Sequence, residues 1–182
     1  MLAWLGRSDD LKGRCNVADT LSARIQRVED LLALHDLVAR YCVLLDGGRW
    51  DDLAELFTAG IDFAGAVGRA EVVRNLRRAR TGVGRSVHTP HTPLLTFVDD
   101  DHATGVVPTH AELDMGGTPV VCAMRYVDSY ARDGGRWRFA RRRVRYHYAL
   151  PWAELPQALT DEFPVRWPGA RPMPADEMDG GR

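Results

Sequence analysis

Two stretches of the chain carry side chains able to move protons. RSVHTPHTP (85–93) sets His88 and His91 three residues apart, each followed by Thr-Pro. YCVLLDGGRWDDLAELF (41–57) sets Asp46 at the end of the apolar run Val43-Leu44-Leu45, ahead of two glycines and five residues after Tyr41. A histidine pair can hold a metal, satisfy a loop, or supply a base whose partner carboxylate lies elsewhere. Chelation suits a spacing of four on a helix or two on a strand. A spacing of three with Pro90 between would send the rings to opposite faces of a strand, and no cysteine or carboxylate stands close in sequence to complete a ligand set. No metal is therefore expected. The bland alternative is that both imidazoles bond to loop backbone, and for His91 that reading is preferred.

Asp46 is the more informative residue. Helix C-termini disfavour negative charge, and an aspartate there cannot cap the start of the helix it ends. It could cap a following helix at Trp50, where Arg49, Asp51 and Asp52 crowd that role. A carboxylate misplaced by helix rules and set beside core residues is a candidate for orienting a histidine and keeping it basic. Tyr41 lies too far round a regular helix to share its face, unless the helix loosens near its end.

The elements that must position these groups follow from periodicity. Asp19 or Thr20 can cap a helix in which Leu21, Ile25, Val28, Leu31, Leu32, Leu34, Leu37, Val38 and Tyr41 recur at three- and four-residue steps, as one long piece or two, ended by Gly47-Gly48. A short helix is expected over Trp50 to Phe57, a brief strand at Ile61 to Phe63, and a helix with a basic outer face from Ala70 to Arg80. After Gly84 the period changes to two. Strands are expected over Val87 to Val98, Ala103 to Met115, Thr118 to Arg132 and Arg136 to Leu150, with turns at Asp99-Asp100-Asp101, Gly116-Gly117 and Gly134-Gly135. Helices first and a meander after argue α+β. Residues 1–19 read as an N-terminal tail, 20–152 as one domain, and 153–182 as a C-terminal extension, tail-like from Phe163.

Composition narrows the function. A chain of 182 residues with 45% hydrophobic and 27% charged residues is an ordinary globular domain, and its net charge of −1 gives no general attraction to nucleic acid or membrane. Cys15, Cys42 and Cys122 form no zinc-type spacing or disulfide framework, which points to the cytoplasm. There is no run of signal-peptide or membrane-spanning character. The run RWRFARRRVR (136–145) reads as the solvent face of a twisted sheet with Trp137 and Phe139 inward, rather than a nucleic-acid patch; one arginine at a pocket mouth, meeting an anionic substrate, is the intermediate case. Val120 to Met124 and Val127 are apolar on both faces of their strand, so a homo-oligomer, dimer or trimer, is expected.

The order Tyr41-x4-Asp46-Gly47-x2-Trp50-Asp51-x-Leu53, then His88-Thr89-x-His91-Thr92-Pro93, then Ala103-Thr104-Gly105 resembles the SnoaL-like branch of the NTF2-like superfamily, nearest in motif to the bile acid 7α-dehydratases. Scytalone dehydratase and a hexachlorocyclohexane dehydrochlorinase belong to the same branch. The likeness runs from about Ile25 to Trp152 and takes in Tyr126-x-Asp128-x-Tyr130 and Gly135-x-Trp137. It implies an α+β cone, N-terminal helices packed on a curved antiparallel sheet around a pocket. It also implies Asp46, His88 and Tyr41 as catalytic residues, with His91 left to the scaffold. Where the dehydratases carry a further pocket aspartate this chain has Ala111, and His110 and Glu112 beside it should face outward unless Pro108 allows a bulge.

The function so implied is a cofactor-independent lyase or isomerase. His88 would take a proton next to a carbonyl on a small hydrophobic cyclic substrate, of polyketide, terpenoid or steroid type. The rival is a non-catalytic small-molecule-binding or subunit protein on the same fold. Epoxide hydrolysis would want a water held by two carboxylates and an asparagine or arginine, and no matched set is present.

Overall fold

The structure is a computed structural model that describes residues 20–176, so the expected N-terminal tail lies outside the described residues. Helix α1 (Leu21–Asp46) is one unbroken piece whose N-cap, Thr20, accepts a hydrogen bond from the Ala23 amide. Its buried positions, Leu34, Leu37, Val38, Tyr41 and Leu45 among them, keep three- and four-residue spacing, which is why it lies flat on a sheet. Gly48, at φ 63°, turns the chain into the short α2 (Trp50–Ala54). Strand β1 (Phe57–Phe63) begins four residues earlier than expected, because Phe57, buried completely, pairs with Phe139 instead of continuing the helix. The two-residue β2 (Ala66–Val67) and then α3 (Arg69–Ala79) follow.

The four remaining strand regions are β3 (Val83–Pro90) with β4 (Leu94–Phe97), then β5 (His102–Met115), β6 (Thr118–Asp133) and β7 (Arg136–Pro151). The expected single strand over 87–98 is thus two, broken at His91 to Pro93, and the histidine stretch itself is strand up to Pro90. Proline is tolerated there because β3 is an edge strand whose outer side needs no ladder donors. The strand order is β2-β1-β7-β6-β5-β3, with β4 also on β5. The sheet is mixed and not wholly antiparallel as expected, since β1 runs parallel to β7.

Two irregularities in the β6–β7 ladder decide which side chains face the interior. Ser129 pairs with Arg141 but Tyr130 with Phe139, so Ala140 is an extra residue; His147 is skipped in the same way between Tyr146 and Tyr148. One extra residue reverses the in–out alternation of everything beyond it. Trp137 and Phe139 face inward as expected, but past the first bulge so do Arg142, Val144 and Tyr146, and the solvent-face reading fails for Arg142. Arg142 is 0% exposed and lies opposite Asp128, giving its Nε to Oδ1 at 2.8 Å and its Nη2 to Oδ2 at 2.7 Å. Tyr130 donates its hydroxyl to the same carboxylate, in space left by Gly105: a methyl there would come within 3.2 Å of that hydroxyl. The Arg142 guanidinium lies about 4 Å from the ring centres of Tyr41, Tyr126 and Phe139.

The C-terminal segment is attached to the body and is not a free tail over its described length. Beyond Arg143 the outer edge of β7 is no longer covered by β1, and residues 164–176 take it. The Ala149 amide donates to the Pro164 carbonyl, and Tyr146 and Asp176 exchange two hydrogen bonds. The short 3-10 turn Trp152–Gln157 brings Leu155 and Ala158 against Val121 and Leu150, covering part of the apolar outer face behind the expectation of an oligomer.

The buried Asp128–Arg142 pair yields a stability prediction. Removing one partner leaves the other charged, desolvated and alone, so Arg142→Met should cost about 3–5 kcal/mol in urea unfolding, and Asp128→Leu about the same. Arg142→Met/Asp128→Leu should regain a large part of that loss. A double variant as unstable as the sum of the two singles would contradict it.

Candidate active site

Of the sequence candidates, Asp46 and His88 are in direct contact. Ser86, His88 and Pro90 point to the inner face of β3, which packs against the end of α1. The Asp46 carboxylate accepts three hydrogen bonds from this strand. His88 Nδ1 lies 2.7 Å from Oδ1, the His88 amide donates to Oδ2 at 2.7 Å, and the Ser86 hydroxyl donates to Oδ1 at 2.5 Å. Asp46 caps nothing: α2 has Arg49 at its N-cap with no side-chain hydrogen bond. The strand donors stand in for those that a helix C-terminus cannot offer a carboxylate.

Protonation states follow. Burial alone would raise the Asp46 carboxyl, but the hydrogen bonds from the His88 ring, the Ser86 hydroxyl and the His88 amide outweigh it and hold the group below its ordinary value. An ionised Asp46 can only accept, so Nδ1 of a neutral His88 carries the proton and Nε2 keeps its lone pair. Nε2 has no protein partner among the described residues. Ser86 has one proton, given to Asp46, and its oxygen accepts from Arg80 Nη1 at 2.7 Å. The sequence reading missed Ser86 and Arg80; the spacing of two between Ser86 and His88 was the available signal, since a strand turns both to one face.

His88 and Tyr41 open on one cavity of about 540 Å³, a size suited to a small polycyclic molecule. Asp46 sits behind His88 instead of lining the cavity. The helix stays regular to its end, so five residues place Tyr41 and Asp46 about 140° apart. Burial pushes the Tyr41 hydroxyl up to about 12 even though Arg142 draws it down, so the hydroxyl is protonated near neutrality and able to donate a hydrogen bond. Aromatic walls come from Phe63, Tyr126, Tyr146 and Trp167. Trp167 was not foreseen; it lies in the C-terminal extension and meets Tyr146 edge-on at 5.5 Å.

The other histidines lie outside this site. His91 points outward and meets the His110 ring, Nε2 to Nδ1 at 2.8 Å, rather than loop backbone. β5 pairs with β6 in continuous register through Pro108, so no bulge turns His110 or Glu112 inward, while Ala111 pairs with His88 and lines the cavity. Among the described residues, no three His, Cys, Asp or Glu side chains are grouped to hold a metal, and no helix is long and apolar enough to cross a membrane.

Comparison with known proteins agrees with this architecture. Residues 26–143 match the profile of the SnoaL-like domain. Among solved structures, a scytalone dehydratase-like protein of Novosphingobium aromaticivorans superposes with a TM-score of 0.70 at 17% identity, covering 87% of this chain and 99% of its own. The hexachlorocyclohexane dehydrochlorinase of Novosphingobium barchaimii gives 0.65 at 20% identity, covering 71% and 94%. An NTF2-like protein with a cystatin-like fold, also from N. aromaticivorans, gives 0.57 at 27% identity, covering 72% and 90%.

The lowered Asp46 value fixes a pH dependence. A carboxyl depressed on folding stabilises the fold above its unfolded value, here 3.8, and that contribution is lost as pH falls through the lower folded value. The stability gap between the parent and Asp46→Asn, read from urea melts, should therefore be present at pH 5 to 7 and close below about pH 4. A gap that persists unchanged at pH 2 would show that the carboxylate is not the stabilising species.

Proposed function

The chain belongs to the SnoaL-like domain family, and we propose that it is a cofactor-independent enzyme of the dehydratase or isomerase type, acting on a small hydrophobic cyclic carbonyl compound. The observation that carries this reading is the 2.7 Å contact between His88 Nδ1 and Asp46, with Nε2 left for a reacting atom. Nε2 would take a proton from the carbon beside the carbonyl, and the imidazolium so formed would be stabilised by Asp46. The C–H electron pair becomes the enolate, to whose oxygen Tyr41 would donate a hydrogen bond. In a dehydration the enolate collapses, the C–O bond beyond it breaks, and His88 returns its proton to the departing hydroxyl as water. In an isomerisation the same proton is returned to another carbon. The apolar walls keep water from competing with either step.

The setting proposed is cytoplasmic, in keeping with Cys42 and Cys122 as free buried thiols. A dimer or trimer is part of the proposal as well. Leu21, Ile25, Val28 and Leu32, 50 to 70% exposed at helical spacing on α1, support it, and a monomeric mass at micromolar concentration would count against it.

Proton abstraction can be measured without the natural substrate. In deuterated buffer the protein should speed deuterium uptake beside the carbonyl of bicyclic ketones such as 1-tetralone, followed by NMR, and EDTA should leave the rate unchanged. His88→Ala should fall to background, Asp46→Asn by about 10² to 10⁴, and Tyr41→Phe by about 10 to 10³. The double Asp46/His88 variant should be little worse than His88→Ala, because the two act as one unit. If all three single variants exchange like the parent, the cavity only binds, and the non-catalytic reading stands.

A further inference from the structure

The cavity is electrostatically one-sided. Among the described residues its lining contains two arginines, Arg80 and Arg143, and no aspartate or glutamate. Where a carboxylate could have faced His88 across the β3–β5 ladder there is the methyl of Ala111. The two arginines are not equivalent. Arg143 is held by Asp62, Nη1 to Oδ1 at 2.9 Å and Nη2 to Oδ2 at 2.5 Å, so its charge is matched. Arg80, which follows the last turn of α3, has only neutral acceptors among the described residues: the Ser86 hydroxyl at 2.7 Å and the Gly84 carbonyl at 3.4 Å. The nearest carboxylate in this network, Asp46, is reached only through Ser86 and already accepts three hydrogen bonds. The Arg80 Nε and the second proton on each terminal nitrogen have no partner among the described residues.

A guanidinium in this position offers a planar pair of donors to an incoming oxyanion, the geometry that best fits a carboxylate. The remaining walls are apolar or aromatic and would gain nothing from a charge placed elsewhere in the ligand. We infer that the cavity takes an organic acid: a ring system carrying one carboxylate, bound by Arg80 and set so that the ring reaches His88. This deepens the proton-abstraction reading by naming the substrate class, since the anchored carboxylate fixes which ring carbon His88 can meet. The link through Ser86 adds a consequence. Arg80 keeps the Ser86 hydroxyl turned toward Asp46, so the anchor and the dyad are positioned by the same side chain.

Binding tests this independently of turnover. Pyrene-1-carboxylate and pyrene-1-carboxamide differ in charge but hardly in shape, and their fluorescence reports uptake. The parent should bind the carboxylate at least about tenfold more tightly than the amide, and the preference should weaken as salt rises. Arg80→Gln should abolish the preference with amide affinity retained, Arg80→Lys should keep part of it, and Arg143→Gln should leave it in place. Thermal melts confirm that each variant is folded. Equal affinity for the two probes in the parent, or a preference that survives Arg80→Gln or vanishes in Arg143→Gln, would overturn the assignment. His88→Ala should preserve the preference. Retained preference with no deuterium exchange in the parent would therefore refute proton abstraction while leaving the acid site standing, and exchange without preference would do the reverse.

Discussion

The seating of α1 on the sheet is the constraint on which the site depends, and a buried charge sets it. Arg142 is wholly desolvated, and Asp128 more than offsets the penalty of burying its charge. Its planar face then gives Tyr41, Tyr126 and Phe139 something to stack upon. Tyr41 is thereby fixed to the sheet floor in the middle of the helix's last turns. Five residues later Asp46 is fixed to the edge strand by three hydrogen bonds. A helix held at both points cannot roll, and the histidine between them has one orientation. Precision at His88 thus derives from an ion pair it never touches.

The same arrangement separates roles among acidic groups. Asp128, Asp62 and Asp46 are each committed to a cation or to a set of donors, and none lines the cavity. The one carboxylate in contact with His88, that of Asp46, lies behind the ring, on the side away from the cavity where the proposed enolate would form. Arg80 brings a guanidinium with no carboxylate partner among the described residues to the chamber, and Tyr41 contributes a hydroxyl held protonated by burial. In the proposed reaction such an interior would favour a developing negative charge on the substrate more than an apolar chamber alone.

How much of this was legible in the sequence depended on whether a local rule or a long-range pairing decided the residue. The helices, the glycine turns and the long strands followed from period and turn chemistry, and Asp46 announced itself by breaking a helix rule. Arg142 did not, because its inward orientation comes from the bulge at Ala140, and a bulge is a property of the ladder and not of either strand alone. Read at strict alternation from Trp137 and Phe139, RWRFARRRVR puts Arg142 outside with Arg136 and Arg138. Phe57 was lost to the helix before it for a similar reason: its parallel partner, Phe139, lies eighty-two residues away. Trp167 sits among prolines and glycines with no periodic signal, and only the open edge of β7 gives that segment a place to bind.

That last case bears on how such a cone acquires its own specificity. The residues that match the SnoaL-like domain end at 143, whereas Val144, Tyr146 and Trp167 are also cavity walls. The end of β7 is common ground between them, since its inner side faces the chamber and its outer edge is free to accept a new strand. Any segment that pairs there is carried over the mouth of the cavity without disturbing Asp46 or His88, which are anchored at the opposite edge of the sheet. The proposed proton chemistry and the proposed ring recognition would therefore be able to change independently: one rests on β3 and the end of α1, the other on the chain that the edge of β7 receives.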